Sequence, residues 1–163
     1  VIKVMYRKRL NGQGGFSLIE LIIVIAVLGI LGAIASYSYM GYVNNSNLRS
    51  AARDMAADMA NTKQKAVSEG LTYRTIISVD ANTYTIERGD AAGTTFTVVE
   101  TKSPTAFGTG LTISSTNYTS SQITYQPRGT ISAGSVVLIN SRDSTATITS
   151  NITGRTHVSF TIK

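Results

Sequence analysis

The 163-residue sequence has no cysteine and no tryptophan, a single histidine (His157), and two prolines, the first of them at position 104. Without cysteine there is no disulfide, no thiol nucleophile, no thiolate metal site and no residue for a lipoprotein anchor. One histidine leaves His-based zinc sites and Ser-His-Asp arrangements short of partners. The phosphate-loop pattern G-x-x-x-x-G-K is missing, and no G-x-G-x-x-G follows a strand pattern. Carboxylates are few and scattered, and Asp80 and Asp90 lack the dense acidic spacing of a calcium loop. The expectation is a non-enzymatic chain with no metal and no cofactor. The proline-free first 103 residues leave room for a long uninterrupted helix.

Charge is unevenly placed. Of the fifteen basic residues, Lys3, Arg7, Lys8 and Arg9 precede Gly15, where no acid occurs; eleven then remain against nine acids, a net +2. Most of the formal +6 is therefore a short basic leader, of the kind that holds an N-terminus on the cytoplasmic side of a membrane. A basic face for nucleic acid is not implied by composition.

What is abundant is one apolar run. From Leu21 to Ala35 every residue is aliphatic or glycine, and Glu20 is the only charge after Arg9 in this region. Phe16–Ala35 makes 20 residues, about 30 Å as a helix, enough for a hydrocarbon core. A carboxylate at such a position costs roughly 2.5–3.5 kcal/mol on insertion scales, so its retention needs a reason. The junction Gly14-Gly15-Phe16-Ser17-Leu18-Ile19-Glu20 resembles that of type IV prepilins and type II secretion prepseudopilins.

The resemblance implies cleavage between Gly15 and Phe16 by a prepilin peptidase and N-methylation of the Phe16 amine. It also implies that Glu20 pairs with the Phe16 ammonium of a neighbouring subunit, setting axial register. Partners would be other pilin-like subunits, an inner-membrane assembly platform and, before assembly, membrane lipid. Two plainer readings stand beside it. Glu20 can snorkel to the cytoplasmic surface with no partner. Ala33-Ile34-Ala35 also fits an ordinary signal-peptidase site, which would release a periplasmic binding module beginning at Ser36.

Past the apolar run, Tyr37, Tyr39 and Tyr42 suit a membrane interface or packing on a head domain. From Asn47 to Glu69 the period is helical: Leu48, Ala52, Met55, Met59, Thr62 and Ala66 form one narrow stripe. Asp54 and Asp58 are expected on a solvated flank, and Gly70 as the residue that ends the helix. The reading is one helix from Phe16 to Glu69. Gly29 and Gly32 fit either close helix packing or a membrane helix's ordinary tolerance of glycine.

After Gly70 the period changes to two. Strands are expected at 72–79, 83–88, 94–101, 111–115, 122–126, 135–140, 145–150 and 155–162, separated by turn residues. The fold class is α+β and pilin-like: a long N-terminal helix and an antiparallel β-rich head of two small sheets. Its expected parts are a leader (1–15), a membrane and filament-core helix (16–42), an amphipathic continuation (43–70) and a periplasmic head (71–163).

The segment Ile123-Thr124-Tyr125-Gln126-Pro127-Arg128-Gly129-Thr130, the apolar Val136-Val137-Leu138-Ile139 and Gly154-Arg155 resemble minor subunits of the GspH and FimT kind. That resemblance implies a subunit of a type II secretion pseudopilus or, alternatively, of a type IV pilus. FimT-like pilins that take up DNA tend to carry a second arginine where this chain has His157. Arg155, with Arg128 or Arg142, is accordingly a candidate phosphate contact; the alternative is exposed strand and turn residues.

Overall fold

The computed structural model describes residues 16–163, without the side chains of 34–38. The leader and the expected cleavage residue Gly15 lie outside the described residues. The chain divides into two compact units, Val1–Ser38 and Tyr39–Lys163. Helix α1 (Leu18–Glu69, 52 residues) contributes to both.

Its C-terminus is set by Gly70, whose φ of +67° is left-handed and free of strain only for glycine. The Leu71 amide donates to the Ala66 carbonyl at 3.2 Å. This six-to-one bond is the Schellman arrangement, and it turns the chain out of the helix into the first strand.

Eight strands follow: β1 (Tyr73–Ser78), β2 (Thr83–Gly89), β3 (Phe96–Lys102), β4 (Thr112–Thr116), β5 (Gln122–Tyr125), β6 (Gly134–Ile139), β7 (Thr145–Ser150) and β8 (Thr156–Thr161). All pair antiparallel, in two four-stranded sheets ordered β3-β2-β1-β5 and β4-β6-β7-β8. The chain leaves the first sheet after β3, starts the second with β4, returns to place β5 beside β1, and then completes the second sheet. In that return Tyr73 pairs with Tyr125 and Ile76 with Gln122. The stretch between β3 and β4 carries a 3-10 turn at Pro104–Phe107, capped by the Ser103 hydroxyl accepting from the Thr105 amide.

Alternation decides which face is buried. Tyr73, Thr75 and Ile77 of β1, Tyr84 and Ile86 of β2, and Ile123 and Tyr125 of β5 turn inward. Val136, Leu138, Ala146 and Ile148 do the same in the second sheet. All but Thr75 form one core cluster with Leu48, Ala51, Ala52, Met55, Met59 and Ala66 of α1, so the helix stripe is the spine on which the head is built. Each of the larger aliphatic side chains, fully withdrawn from water, stabilises the head by about 1.5–3 kcal/mol. Two buried polar links add specificity: the Tyr125 and Thr75 hydroxyls lie 3.2 Å apart, those of Tyr118 and Ser150 2.6 Å. Burial pushes both tyrosines' pKa values up, so the hydroxyls stay protonated.

Candidate assembly site

Helix α1 opens with Glu20 as the one acidic side chain of its first turn, and the Leu21 amide donates to the Ser17 carbonyl at 3.2 Å. A carboxylate there lies at the positive end of the helix dipole. Phe16, four residues earlier, is 84% exposed. Every large apolar side chain from Leu18 through Leu31 is exposed, on all sides of the helix. Apart from the adjoining residues and the helix's own backbone, a Cβ at Gly29 or Gly32 would meet no atom within 4 Å. A helix apolar all round cannot stay in water, and this one requires lipid or other helices around it.

Among the described residues no helix is long and apolar enough to cross a membrane. Residues 18–33, the helical stretch with described side chains and apolar but for Glu20, number sixteen, about 24 Å at 1.5 Å each and short of a 30 Å core.

The unit Tyr39–Lys163 begins with Tyr39, Met40 and Tyr42 exposed. Beside them the β6–β7 turn is fastened to the helix. Asn140 Nδ2 donates to Asn45 Oδ1 at 2.9 Å, and Asn140 Oδ1 accepts from the Arg142 and Ser144 amides, both at 3.0 Å. Arg142, a candidate phosphate contact, is instead half-buried, its guanidinium occupying the space beside Gly41 where a Cβ would lie.

Asp58 does not sit on a solvated flank, whereas Asp54, 36% exposed, stays in part open to water. Lys102, the last residue of β3, places its Nζ 2.8 Å from Asp58 Oδ2, 3.6 Å from Asp54 Oδ2 and 3.9 Å from Glu100 Oε1. Asp58 Oδ2 also accepts from the Tyr84 hydroxyl at 2.7 Å, and the Asp58 side chain is only 14% exposed. Hydrogen bonding to Asp58 raises the Lys102 pKa, while burial first, and then Asp58, raises that of Tyr84. Sheet pairing brings Lys102 to a carboxylate 44 residues away, which helical periodicity alone does not reveal.

Arg128 and Arg155 are exposed on two turns that flank one lysine. Gly129 and Gly154, at φ +84° and +78°, shape these turns, and a Cβ on either would approach the Lys63 side chain. Lys63 Nζ donates to the Thr153 carbonyl at 3.1 Å. The structure thus brings Lys63, Arg128 and Arg155 to one region and leaves His157 exposed on β8, away from the core face. Among the described residues no carboxylate pairs with these three cations, and no cluster of three or more metal-ligating side chains occurs.

The order of elements, the helix spine and the exposed N-terminal segment agree with two family matches. A prokaryotic N-terminal methylation motif covers residues 10–36, and the family described as type II transport protein GspH covers 51–154. The chain belongs to the GspH family. Members of this pilin-like family are structural subunits, and the chain is accordingly a minor pseudopilin.

Similar folds occur in the minor pseudopilin EpsH from the type 2 secretion system of Vibrio cholerae. One EpsH structure has a TM-score of 0.58 at 12% identity, covering 69% of this chain and 96% of that one. A second EpsH crystal structure reaches 0.56 at 10% identity, over 69% and 93%. The type IV minor pilin FimU of Pseudomonas aeruginosa reaches 0.55 at 16% identity, covering 72% of this chain and 92% of that one. At these identities the likeness is one of fold. No curated protein matches the sequence.

Proposed function

We propose that this GspH-family subunit serves a type II secretion pseudopilus as a precursor cut between Gly15 and Phe16. In this reading it inserts once into the bacterial inner membrane, N-terminus cytoplasmic and head periplasmic. A prepilin peptidase removes residues 1–15 and the Phe16 amine is methylated. An assembly platform then extracts the subunit into a filament. The observation that carries this reading is the exposed apolar surface of residues 18–31, interrupted only by Glu20. The sequence continues that run to Ala35, about 30 Å from Phe16 as a helix. Lipid and a bundle of neighbouring apolar helices satisfy that surface equally well, so one segment serves first as anchor and then as filament core.

Glu20 has the role of docking group. In an apolar bundle its carboxylate and a neighbour's Phe16 ammonium attract strongly, offsetting part of the desolvation each suffers. The test is Glu20→Ala in cells holding the assembly machinery. The variant should be cleaved normally and yet be depleted from sheared filaments; undiminished incorporation would remove the role.

A second reading, a type IV pilus minor pilin able to contact DNA, is favoured by the grouping of Arg128 and Arg155 around Lys63 and by the fold shared with FimU. Phosphate contacts by these cations would make binding steeply salt-dependent. Retardation of short duplex DNA at low salt, lost in Arg155→Ala, supports it; no retardation at micromolar protein counts against it.

A further inference from the structure

Arg142 lies against helix α1 at Gly41. A Cβ at that glycine would collide with the guanidinium, so the missing side chain is what admits the arginine. The β6–β7 turn that carries Arg142 is firmly seated. Besides the bond from Asn140 to Asn45, the Asp143 amide donates to the Asn140 carbonyl at 3.1 Å and Asn44 Nδ2 to Ser141 Oγ at 3.4 Å. The rest of that helical turn is open. Tyr39, Met40 and Tyr42 are 69%, 70% and 73% exposed, so they do not pack on the head as their place in the sequence allowed. With 3.6 residues per turn they take the arc of the helix that Gly41 does not. One level of α1 is thus ringed by two phenols, a thioether and a guanidinium.

Chain length alone places that level relative to the apolar run. Tyr39 is four residues past Ala35 and Tyr42 seven, about 6 and 10 Å at the helical rise. The headgroup layer outside a hydrocarbon core is about 5–8 Å deep on each side. With the run in a bilayer, the ring of side chains falls at the headgroups, where a tyrosine keeps its body in apolar surroundings and its hydroxyl in water. A guanidinium at that level meets phosphate. Its planar fork of donors can bind a phosphate bidentately with donors to spare for the protein. A zwitterionic headgroup brings its own ammonium beside the phosphate, whereas that of phosphatidylglycerol leaves the phosphate charge uncompensated. Asp143 is exposed on the same turn, and Lys163, whose amide donates to Ser144 Oγ at 2.9 Å, is exposed beside it. These two side chains offset each other, so the case rests on the place in which Arg142 is held.

We propose that Tyr39, Met40, Tyr42 and Arg142 form a collar at the bilayer surface, in which Arg142 binds the phosphate of an anionic phospholipid. The collar sets the depth at which the precursor rests, and its lipid contact is one that extraction into a filament must break. The inference deepens the membrane-anchored precursor reading and rests on it for its setting.

The full chain in neutral detergent is mixed with phosphatidylglycerol or phosphatidylcholine and weighed by native mass spectrometry. The expected spectrum shows one phosphatidylglycerol per chain, in preference to phosphatidylcholine. Arg142→Gln should lower that occupancy about tenfold. Gly41→Leu, which keeps the arginine but displaces it, should act likewise. Arg53→Gln, at an exposed arginine about three turns further along α1, should leave it unchanged. Equal occupancy in the parent and both collar variants overturns the inference, as does an equal loss with Arg53→Gln or retention of inorganic phosphate in place of lipid. The tryptophan-free sequence supplies a second readout that leaves the β6–β7 turn untouched. In nanodiscs, Tyr42→Trp emission should be quenched more by lipids spin-labelled at the headgroup than by lipids labelled at the acyl-chain end; the reverse order, or no quenching, overturns the collar. Carbonate washing of cell membranes separates the two ideas. A chain that resists washing but shows no Arg142-dependent lipid keeps the anchor and loses the collar. A chain that washes off yet binds phosphatidylglycerol through Arg142 keeps the lipid contact and loses the anchor.

Discussion

The Tyr84 hydroxyl donates to Asp58 Oδ2 at 2.7 Å, fastening β2 to the helix at the same carboxylate that holds Lys102. One helix residue thus ties down two adjacent strands of the first sheet. Asp58→Ala leaves a largely buried hydroxyl and an ammonium without their main acceptor. Loss of charge-assisted bonds at a part-buried site should cost about 1.5–3 kcal/mol. Urea unfolding of residues 39–163 should show a lower midpoint with an unchanged slope, and Asp58→Asn should fall between the two.

The same group sets an alkaline limit. Lys102 and Tyr84 both have folded pKa values raised above their ordinary 10.5 and 10.0. A raised pKa means the native state holds its proton where the unfolded chain releases it. Their contribution is therefore complete below about pH 10 and declines as pH rises above it. Melting temperature should drop above pH 10, and Tyr84→Phe, which removes one of the two titrations, should flatten that drop. A stability that stays level to pH 12 in the parent chain would refute the coupling.

Asn82 joins the two sheets. Its Nδ2 donates to the Leu111 carbonyl at 2.9 Å and its Oδ1 accepts from the Ile113 amide at 2.8 Å, so the amide acts as a strand partner for β4. Its backbone is left-handed, with φ +52°. Asn82→Gly keeps the backbone conformation but loses both bonds, costing about 1–3 kcal/mol. Asn82→Ala should cost about 1 kcal/mol more, from the left-handed strain. Equal stability of the two variants would show that backbone geometry plays no part.

Burial separates two aliphatic sites of similar chemistry. Leu48 is wholly buried on the helix stripe, whereas Val98 is 58% exposed on the edge strand β3. Leu48→Ala should destabilise by about 2–5 kcal/mol, and Val98→Ala should stay within about 0.5 kcal/mol. Chemical denaturation of the two variants checks both.

Much of this fold is readable from local pattern. The stripe from Leu48 to Ala66, the stop at Gly70 and the eight alternating segments all rest on neighbours one to four residues apart, and the strands appear within a residue or two of where alternation places them. What pattern cannot supply is partnership across long separations. Nothing local tells β5 to leave its sequence neighbours and pair with β1, or tells Lys102 to reach Asp58. Asp54 and Asp58 lie off the apolar stripe and would be solvated in an isolated helix; Lys102 at the end of β3 reaches both, and Asp58 is left largely buried. Asn82 reads as a turn residue, and only the crossing of the chain between sheets turns its amide into a clasp. At the candidate assembly site, Glu20 stands out because one charge interrupts an apolar run. Arg128 and Arg155 are grouped by resemblance, but Lys63, which their two turns flank, comes from the distant helix and is not read from local pattern.

The central claim is that a processed amine at Phe16 and the carboxylate of Glu20 turn an apolar helix into an assembly element. Its most direct test is the N-terminal mass of the mature chain from cells with an active prepilin peptidase. The account predicts a methylated Phe16 as first residue. Retention of residues 1–15, or a mature chain beginning at Ser36, would contradict it.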